Sequence, residues 1–98
     1  MTYNRLNSKV DGNQNEIRRQ LRALGFRVDT VSRLKKLYDL VVTGRDSKGE
    51  VRTLRVEVKI EGGTLTVDEK EYHETEPYPE TLLIAYSVND ILSWFGRL

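Results

Sequence analysis

Residue types that build many reactive or covalently stapled sites are missing or rare in this chain. Its 98 residues include no cysteine and a single histidine, His73. Without cysteine there is no disulfide framework, no thiolate metal site and no cysteine nucleophile. One histidine excludes a multi-histidine zinc site within the chain. Any catalysis must therefore use carboxylates, lysine, hydroxyls or a metal ion held by oxygen atoms.

Long hydrophobic runs are also missing. No apolar stretch approaches the roughly 20 residues that a membrane span needs, and the polar residues 1–11 lack the apolar core of a signal peptide. The length suits one domain with one modest core. We therefore expect a soluble, cytoplasmic protein without membrane association, built as a flexible N-terminal arm over residues 1–12 and a single domain over residues 13–98.

The net charge of +1 hides an uneven distribution of charged residues. Residues 1–60 carry fourteen Lys or Arg against seven Asp or Glu, whereas residues 61–80 carry seven acidic residues and one lysine. A basic portion of this size suits a polyanion such as nucleic acid, although an ordinary solvated surface can have the same composition. If the partner is DNA, the acidic segment should lie away from its path, because it would repel the phosphate backbone.

Periodicity and capping signals predict seven elements in the order α-β-β-β-α-β-α. Asn13 and Glu16, and again Thr66 and Glu69, have the spacing of a capping box at a helix start. A helix between the third and fourth strands makes them a parallel pair, so the fold class is an α/β sandwich around a mixed central sheet. The predicted helices run from Asn13 to just before Gly25, from Thr66 to about Glu74 and onward from Ser87. The predicted strands cover 26–31, 38–43, 51–60 and 81–86.

The third predicted strand carries the residues best suited to chemistry. Glu57 and Lys59 are separated by one residue, so both project from the same face, about 6.6 Å apart along the strand. Asp39 lies in the preceding strand, and a hairpin between the two strands brings it close to Glu57. Two carboxylates that converge in this way offer the hard oxygen ligands that Mg²⁺ prefers. A solvated strand face is the alternative interpretation of the same residues.

Asp39 followed by Glu57-Val58-Lys59 resembles the signature of the PD-(D/E)xK nuclease superfamily, with Tyr38 in place of the usual proline. A glutamate in the first helix, Glu16, and the order of elements match the same superfamily, whose fold is restriction-endonuclease-like. Within it, the chain looks like the VRR-NUC group of phage and bacterial nucleases and like archaeal-type Holliday junction resolvases. Glu69 stands where VRR-NUC sequences usually carry glutamine.

This resemblance implies a divalent-metal-dependent DNA endonuclease that uses Mg²⁺, with Mn²⁺ able to substitute, in a bacterial, archaeal or phage-infected cell. The expected substrate is branched DNA, cut by a Holliday junction resolvase that acts as a homodimer, since resolving a junction takes two symmetric cuts. Two alternatives stay open. One is a nickase that prefers flaps or single strands, and the other is an inactive nuclease-fold module that binds duplex or branched DNA.

The resemblance also assigns roles to individual residues. Asp39, Glu57 and the Val58 carbonyl would bind the metal ion, Lys59 would position the attacking water, and Glu16 would hold a water molecule of the metal site. The roles of Glu69 and His73 stay open, and the apolar side of the last helix, with Trp94 and Phe95, is a candidate dimer surface. The residues expected to contact DNA are Arg18, Arg19, Arg22, Ser32, Arg33, Lys35 and Lys36.

Overall fold

The computed structural model of the chain describes residues 5–31 and 38–98. Helices and strands follow one another in the predicted α-β-β-β-α-β-α order, with one short 3-10 turn added before the last strand. The elements are α1 (Arg5–Ala23), β1 (Arg27–Thr30), β2 (Leu40–Arg45), β3 (Val51–Val58), α2 (Val67–Thr75), the 3-10 turn (Pro79–Thr81), β4 (Leu82–Ala85) and α3 (Val88–Trp94).

The four strands form one mixed sheet in the order β1-β2-β3-β4. The first three strands are antiparallel neighbours, with Val42 of β2 opposite Leu54 of β3. The last strand runs parallel to β3, with Ala85 opposite Val58. A parallel neighbour needs a crossover connection, and α2 lies in that connection. The predicted mixed sheet is therefore confirmed, and the two strands that the crossover joins lie side by side.

One face of the sheet is apolar and carries the core. The period of two along β3 buries Leu54 and Val56 on this face. The helices α1 and α3 cover it, because apolar residues recur along each of them at helical spacing. Phe26 and Phe95 pack ring against ring, 4.9 Å between centroids, where the two helices meet the sheet. The other buried members of this core are Ile17, Leu21, Val28, Leu40, Val42, Val58, Ala85 and Ile91.

The opposite face of the sheet is polar along β3 and lies against α2. Arg55 is the main contact between them, with a side chain that is only 21% exposed. Its guanidinium donates to the Tyr72 hydroxyl at 2.6 Å, to the Glu76 carboxylate at 2.7 Å and to the Thr81 hydroxyl at 2.9 Å. A planar fork of five N–H donors can serve three acceptors at once. Hydrogen bonds to Arg55 thus hold α2 and the following turn on the sheet.

The first helix begins earlier than the sequence predicted. It starts at Arg5, so Asn13 lies in the helix interior and cannot be an N-cap. The part of the predicted arm that the structure describes, residues 5–12, is helical. The signal was present in the sequence, because Leu6 and Val10 continue the apolar spacing of Ile17. Gly12 and the polar residues that follow it interrupt this spacing between Val10 and Ile17. The sequence therefore indicated a helix start at Asn13 and Glu16.

The two remaining helix starts were predicted correctly. Thr66 is the N-cap of α2, and its capping box with Glu69 is formed in both directions. Ser87 is the N-cap of α3, where the Asp90 carboxylate accepts from the Ser87 N–H at 3.2 Å. Among the described helices, none has the length and apolar character needed to cross a membrane.

Candidate active site

The candidate site lies where β2 begins and β3 ends. Asp39 stands immediately before β2, and its N–H donates to the Val56 carbonyl at 2.8 Å. Its side-chain Oδ2 accepts from the Val58 N–H at 2.7 Å. Both contacts fasten Asp39 to the end of β3, one through its backbone and one through its carboxylate. The hairpin therefore does bring Asp39 to the end of β3, which carries Glu57 and is followed directly by Lys59.

Glu57 is the most deeply buried carboxylate of the described residues, with a side chain that is 4% exposed. Burial, together with the charges of Asp39 and Glu69, raises the pKa of Glu57 to about 9. Burial also raises the pKa of Asp39, and the hydrogen bond from Val58 only partly opposes this effect. The charge of Asp39 raises the pKa of Glu57, whereas the hydrogen bond with Glu57 lowers the pKa of Asp39. The pair therefore favours a proton on Glu57, which a bound cation would have to displace.

Lys59 lies between two carboxylates. Its Nζ is 3.5 Å from Glu57 Oε2 and 2.9 Å from Glu69 Oε1. The contact with Glu57 confirms that residues 57 and 59 project from the same face, as the strand alternation predicted. Burial by itself lowers the pKa of Lys59, but the hydrogen bond to Glu69 and the charge of Glu57 outweigh it, so the net shift is upward. The side chain is an ammonium ion at neutral pH.

Glu69 is the site residue whose role the sequence left open. It is 8% exposed and belongs to the first turn of α2. Its Oε1 accepts both from the Thr66 N–H at 2.9 Å and from Lys59. Burial raises the pKa of Glu69, but these two donors outweigh it and the net shift is downward. The capping box explained this glutamate locally, so nothing in the sequence signalled its second contact across to β3.

The segment of greatest negative charge therefore does not lie away from the candidate site. Glu69 joins it directly, and Glu76 at the end of α2 pairs with Arg55 on the same face of the sheet. Burial of these carboxylates against basic side chains of β3 explains the position of the helix. That the rest of this segment lies away from the path of DNA stays a prediction.

The donor chemistry of the site fits a hard divalent cation. Asp39 accepts the Val58 N–H through Oδ2, and its other oxygen, Oδ1, takes no part in that hydrogen bond. The N–H and C=O of one strand residue point toward the same edge, so the Val58 carbonyl faces the Asp39 side of β3. Carboxylate and carbonyl oxygens are the ligands that Mg²⁺ prefers. Within residues 5–31 and 38–98, however, no group of three or more Asp, Glu or His side chains is arranged to hold a metal ion by itself.

Glu16 is not gathered with these residues. Its carboxylate forms an ion pair with Arg19 and accepts from the Gln20 amide at 2.6 Å, both on its own helix. Its side chain is 49% exposed. Asn13 of α1 does reach this end of the sheet, and its amide donates at 3.4 Å to the Lys59 carbonyl. The contacts of Glu16 give no support to its predicted role at the metal.

The basic residues predicted to contact DNA have different surroundings. Arg18 donates to the Thr30 hydroxyl at 2.8 Å, and Arg22 donates to the Val28 carbonyl at 2.7 Å. These two arginines fasten α1 to β1, whereas Arg19 pairs with its own helix neighbour. Structure thus explains the three arginines without DNA. The other residues predicted to contact DNA belong to the basic connection and lie outside the described residues. They are Ser32, Arg33, Lys35 and Lys36.

Trp94 and His73, both considered from the sequence above, make their contacts within the described part of the chain. Trp94 donates from Nε1 to the Glu80 carbonyl at 2.8 Å and packs edge-on against Phe95. These contacts explain the position of Trp94 without a second copy of the chain. His73 Nε2 is buried and has no hydrogen-bond partner in the described part of the chain. Burial lowers the pKa of His73, which keeps the imidazole neutral.

No protein-family model, curated protein or solved structure matches this chain. Function therefore has to be argued from the site rather than from relatives. The site offers one buried and one partly buried carboxyl group, a carbonyl at the same edge and one ammonium held between two carboxylates. Such a set can hold a divalent cation beside a cationic hydrogen-bond donor, which is an arrangement that suits a phosphate ester.

Proposed function

We propose that this chain is a divalent-metal-dependent DNA endonuclease with a restriction-endonuclease-like fold of the PD-(D/E)xK type. The single observation that carries the proposal is the junction of β2 and β3. There Asp39 is fastened to Val58, directly beside Glu57 and Lys59. Residues far apart in the sequence meet at one sheet end in the combination that phosphodiester hydrolysis needs.

Asp39, Glu57 and the Val58 carbonyl would hold Mg²⁺, or Mn²⁺ in its place. When bound, the cation supplies a Lewis acid that stabilises the charge developing on the phosphate. Lys59, as an ammonium ion, donates hydrogen bonds to a phosphate oxygen or to the attacking water. It orients the water rather than taking its proton, because it has no lone pair in this state. Hydrolysis would form a bond from the water oxygen to phosphorus and break one phosphorus–oxygen ester bond. The proton of the attacking water would pass to solvent, and the leaving oxygen would take a proton from solvent.

The proposed substrate is branched DNA, and the proposed enzyme is a Holliday junction resolvase that acts as a homodimer. One site cuts one strand, so paired symmetric cuts need two sites related by a two-fold axis. This choice of substrate rests on the resemblance of the Asp39 and Glu57-Val58-Lys59 motifs to resolvases. A nickase that prefers flaps would use the same chemistry. We place the enzyme in the cytoplasm of a bacterial, archaeal or phage-infected cell.

Cleavage of labelled DNA tests the proposal. Four-way junction, flap and linear duplex should be incubated with the protein in Mg²⁺ and, separately, with chelator. We expect metal-dependent paired nicks in the junction, and loss of at least about 100-fold in rate for Asp39→Asn, as for removal of one group that stabilises transition-state charge. Asp29→Asn is the matched control, because Asp29 is exposed on β1 and pairs with Arg27.

The pattern of cleavage across the three DNA substrates separates the alternatives. Preferential cutting of the flap would replace the resolvase with the nickase. Tight DNA binding without any cleavage in Mg²⁺ or Mn²⁺ would leave the inactive module as the function. Cleavage that survives Asp39→Asn at a near-normal rate would show that the reaction takes place elsewhere on the chain.

A further inference from the structure

We propose that Glu69 is a positioning residue that draws Lys59 away from Glu57 and so leaves Glu57 available to the metal ion; this inference rests on the proposed function. The observation is the pair of distances from Lys59 Nζ, which is 2.9 Å from Glu69 and 3.5 Å from Glu57. The shorter contact is with the carboxylate that is not among the proposed metal ligands.

A lysine two residues from a carboxylate on the same strand face is its natural ion-pair partner. Without a competitor, Lys59 would pair with Glu57 alone, and the ammonium would neutralise the charge that a cation needs. Glu69 competes effectively because it is buried and fixed. Its Oε1 is also the acceptor for the Thr66 N–H, so the carboxylate is held at one place on the first turn of α2.

The same contact fixes where the ammonium sits. Lys59 is 17% exposed and lies between two carboxylates, so its Nζ is restrained from both sides. A side chain with four rotatable bonds otherwise loses considerable entropy when it is ordered. Glu69 therefore serves the site in two ways. It leaves the Glu57 carboxylate open to a cation, and it preorganises the donor that would face the phosphate.

Charge also favours this arrangement. Once a cation displaces the proton of Glu57, Asp39, Glu57 and Glu69 together with the Lys59 ammonium carry a net charge of −2, which one divalent cation neutralises. Partners that orient metal ligands from outside the coordination shell typically change metal affinity by 10–100-fold when they are removed. Glu69 acts in this way through Lys59, rather than by touching the metal itself.

Binding of Mn²⁺ alone, followed by electron paramagnetic resonance without DNA, tests the inference. We expect Glu69→Gln to weaken Mn²⁺ binding by about tenfold. Glutamine keeps the acceptor for the Thr66 N–H and is accepted at this position of a capping box, so the helix start survives. Glu71→Gln is the matched control, because it removes the same charge from an exposed position of α2. It should leave Mn²⁺ binding unchanged within about twofold.

A double-mutant cycle with Lys59→Met separates a role through lysine from a direct one. If Glu69 acts through Lys59, Glu69→Gln should change Mn²⁺ affinity by less than about twofold once the ammonium is gone. An equal loss in both backgrounds would overturn the inference, because Glu69 would then act on the metal directly. Unchanged Mn²⁺ affinity in Glu69→Gln, with the wild type binding normally, would overturn it as well. A wild type that binds no Mn²⁺ would overturn the proposed function, and this inference with it.

Discussion

The Oδ2 atom of Asp39 lies 2.7 Å from the backbone nitrogen of Val58 and accepts its hydrogen bond. The N–H of Val58 faces the end of β2, where no further strand residue is present to receive it. Asp39 takes the place of that missing partner and extends the pairing by one side chain. One carboxylate thus closes the sheet ladder through Oδ2 and leaves its second oxygen, Oδ1, out of that hydrogen bond. The structural and the proposed chemical role of Asp39 can be separated by mutation.

Asp39→Ala should destabilise the fold, whereas Asp39→Asn should not. Val58 is 1% exposed, so losing the acceptor leaves a buried N–H unsatisfied, at a cost of about 1–3 kcal/mol. Asparagine keeps an oxygen in the acceptor position, and its free energy of unfolding should fall by less than about 1 kcal/mol. Urea denaturation measures both values. Equal stability of the two variants would show that the Val58 N–H finds another partner.

Glu57→Gln should stabilise the metal-free protein at alkaline pH. The folded-state pKa of Glu57 is about 9, above its ordinary value of 4.5. Between these two values the folded state holds a proton that the unfolded chain has lost, so stability falls as the pH rises through this window. Glutamine mimics the protonated acid and does not titrate. The gain of Glu57→Gln over the wild type in the free energy of unfolding should therefore be small near pH 5 and grow toward pH 8.5.

Melting temperatures in chelator across pH 5–8.5 measure this difference, with each kcal/mol shifting the midpoint by roughly 4–8 °C in a chain of this size. Glu71→Gln, which changes an exposed glutamate of α2, should run parallel to the wild type. If Glu57→Gln also runs parallel, the Glu57 carboxyl is already ionised in the folded state at neutral pH.

Arg55→Met should be the most costly substitution of an arginine on the polar face. Its guanidinium donates hydrogen bonds to Tyr72, Glu76 and Thr81. Removing it leaves these acceptors between β3 and α2 without their donor. We expect a loss of about 2–3 kcal/mol in the free energy of unfolding. Arg27→Gln is the control, because its ion pair with Asp29 is exposed and should contribute less than about 1 kcal/mol. Similar losses for both would mean that Arg55 does not secure α2.

The sequence predicted the sheet better than the ends of its elements. Strict alternation along β3 identified both its buried face and the shared face of Glu57 and Lys59, because a period of two leaves no other arrangement. The parallel partner of β3 followed from the crossover helix. The start of α1 was misplaced because Asn13 and Glu16 fit a local capping rule. The apolar spacing from Leu6 onward, which was the weaker signal, extended further.

The same difference between local patterns and tertiary contacts decides which residues of the candidate site the sequence could predict. Asp39, Glu57 and Lys59 could be brought together from the sequence because adjacent strands of a hairpin fix their register. Glu69 could not, since its contact with Lys59 depends on how α2 settles on the sheet. That placement comes from tertiary partners such as Arg55 and Tyr72, and no local pattern records it. Glu16 shows the converse case, because a nearby arginine on its own helix satisfies its charge and the site does not include it.

Gly12→Ala tests the extended first helix. Gly12 lies inside α1, and an added Cβ there would meet no atom within 4 Å. Alanine should therefore stabilise the protein by roughly 0.5–1 kcal/mol, as expected for a glycine in a helix interior. Gly44→Ala is the contrasting variant, because its Cβ would lie 2.3 Å from the Phe26 ring. It should cost roughly 1–3 kcal/mol. No gain for Gly12→Ala in thermal melts would argue against a helix at this position.

Lys59→Ala should slow the chemical step more than it weakens DNA binding. The Lys59 ammonium is held beside the proposed metal ligand Glu57, so its charge would act on the phosphate as the transition state forms. We expect the single-turnover rate at saturating junction DNA to fall by about 100-fold or more. The dissociation constant for the same DNA in chelator should change by less than about fivefold, since one of many phosphate contacts is lost.

Lys59→Arg is the informative companion to this variant. Arginine keeps the positive charge but presents a planar fork instead of a compact ammonium, so it should bind DNA normally and recover only part of the rate. Lys70→Ala removes a lysine from an exposed position of α2 and controls for the loss of charge alone. If Lys59→Ala loses affinity while its single-turnover rate at saturation is unchanged, Lys59 anchors the DNA. The transition-state role assigned to its ammonium would then be wrong.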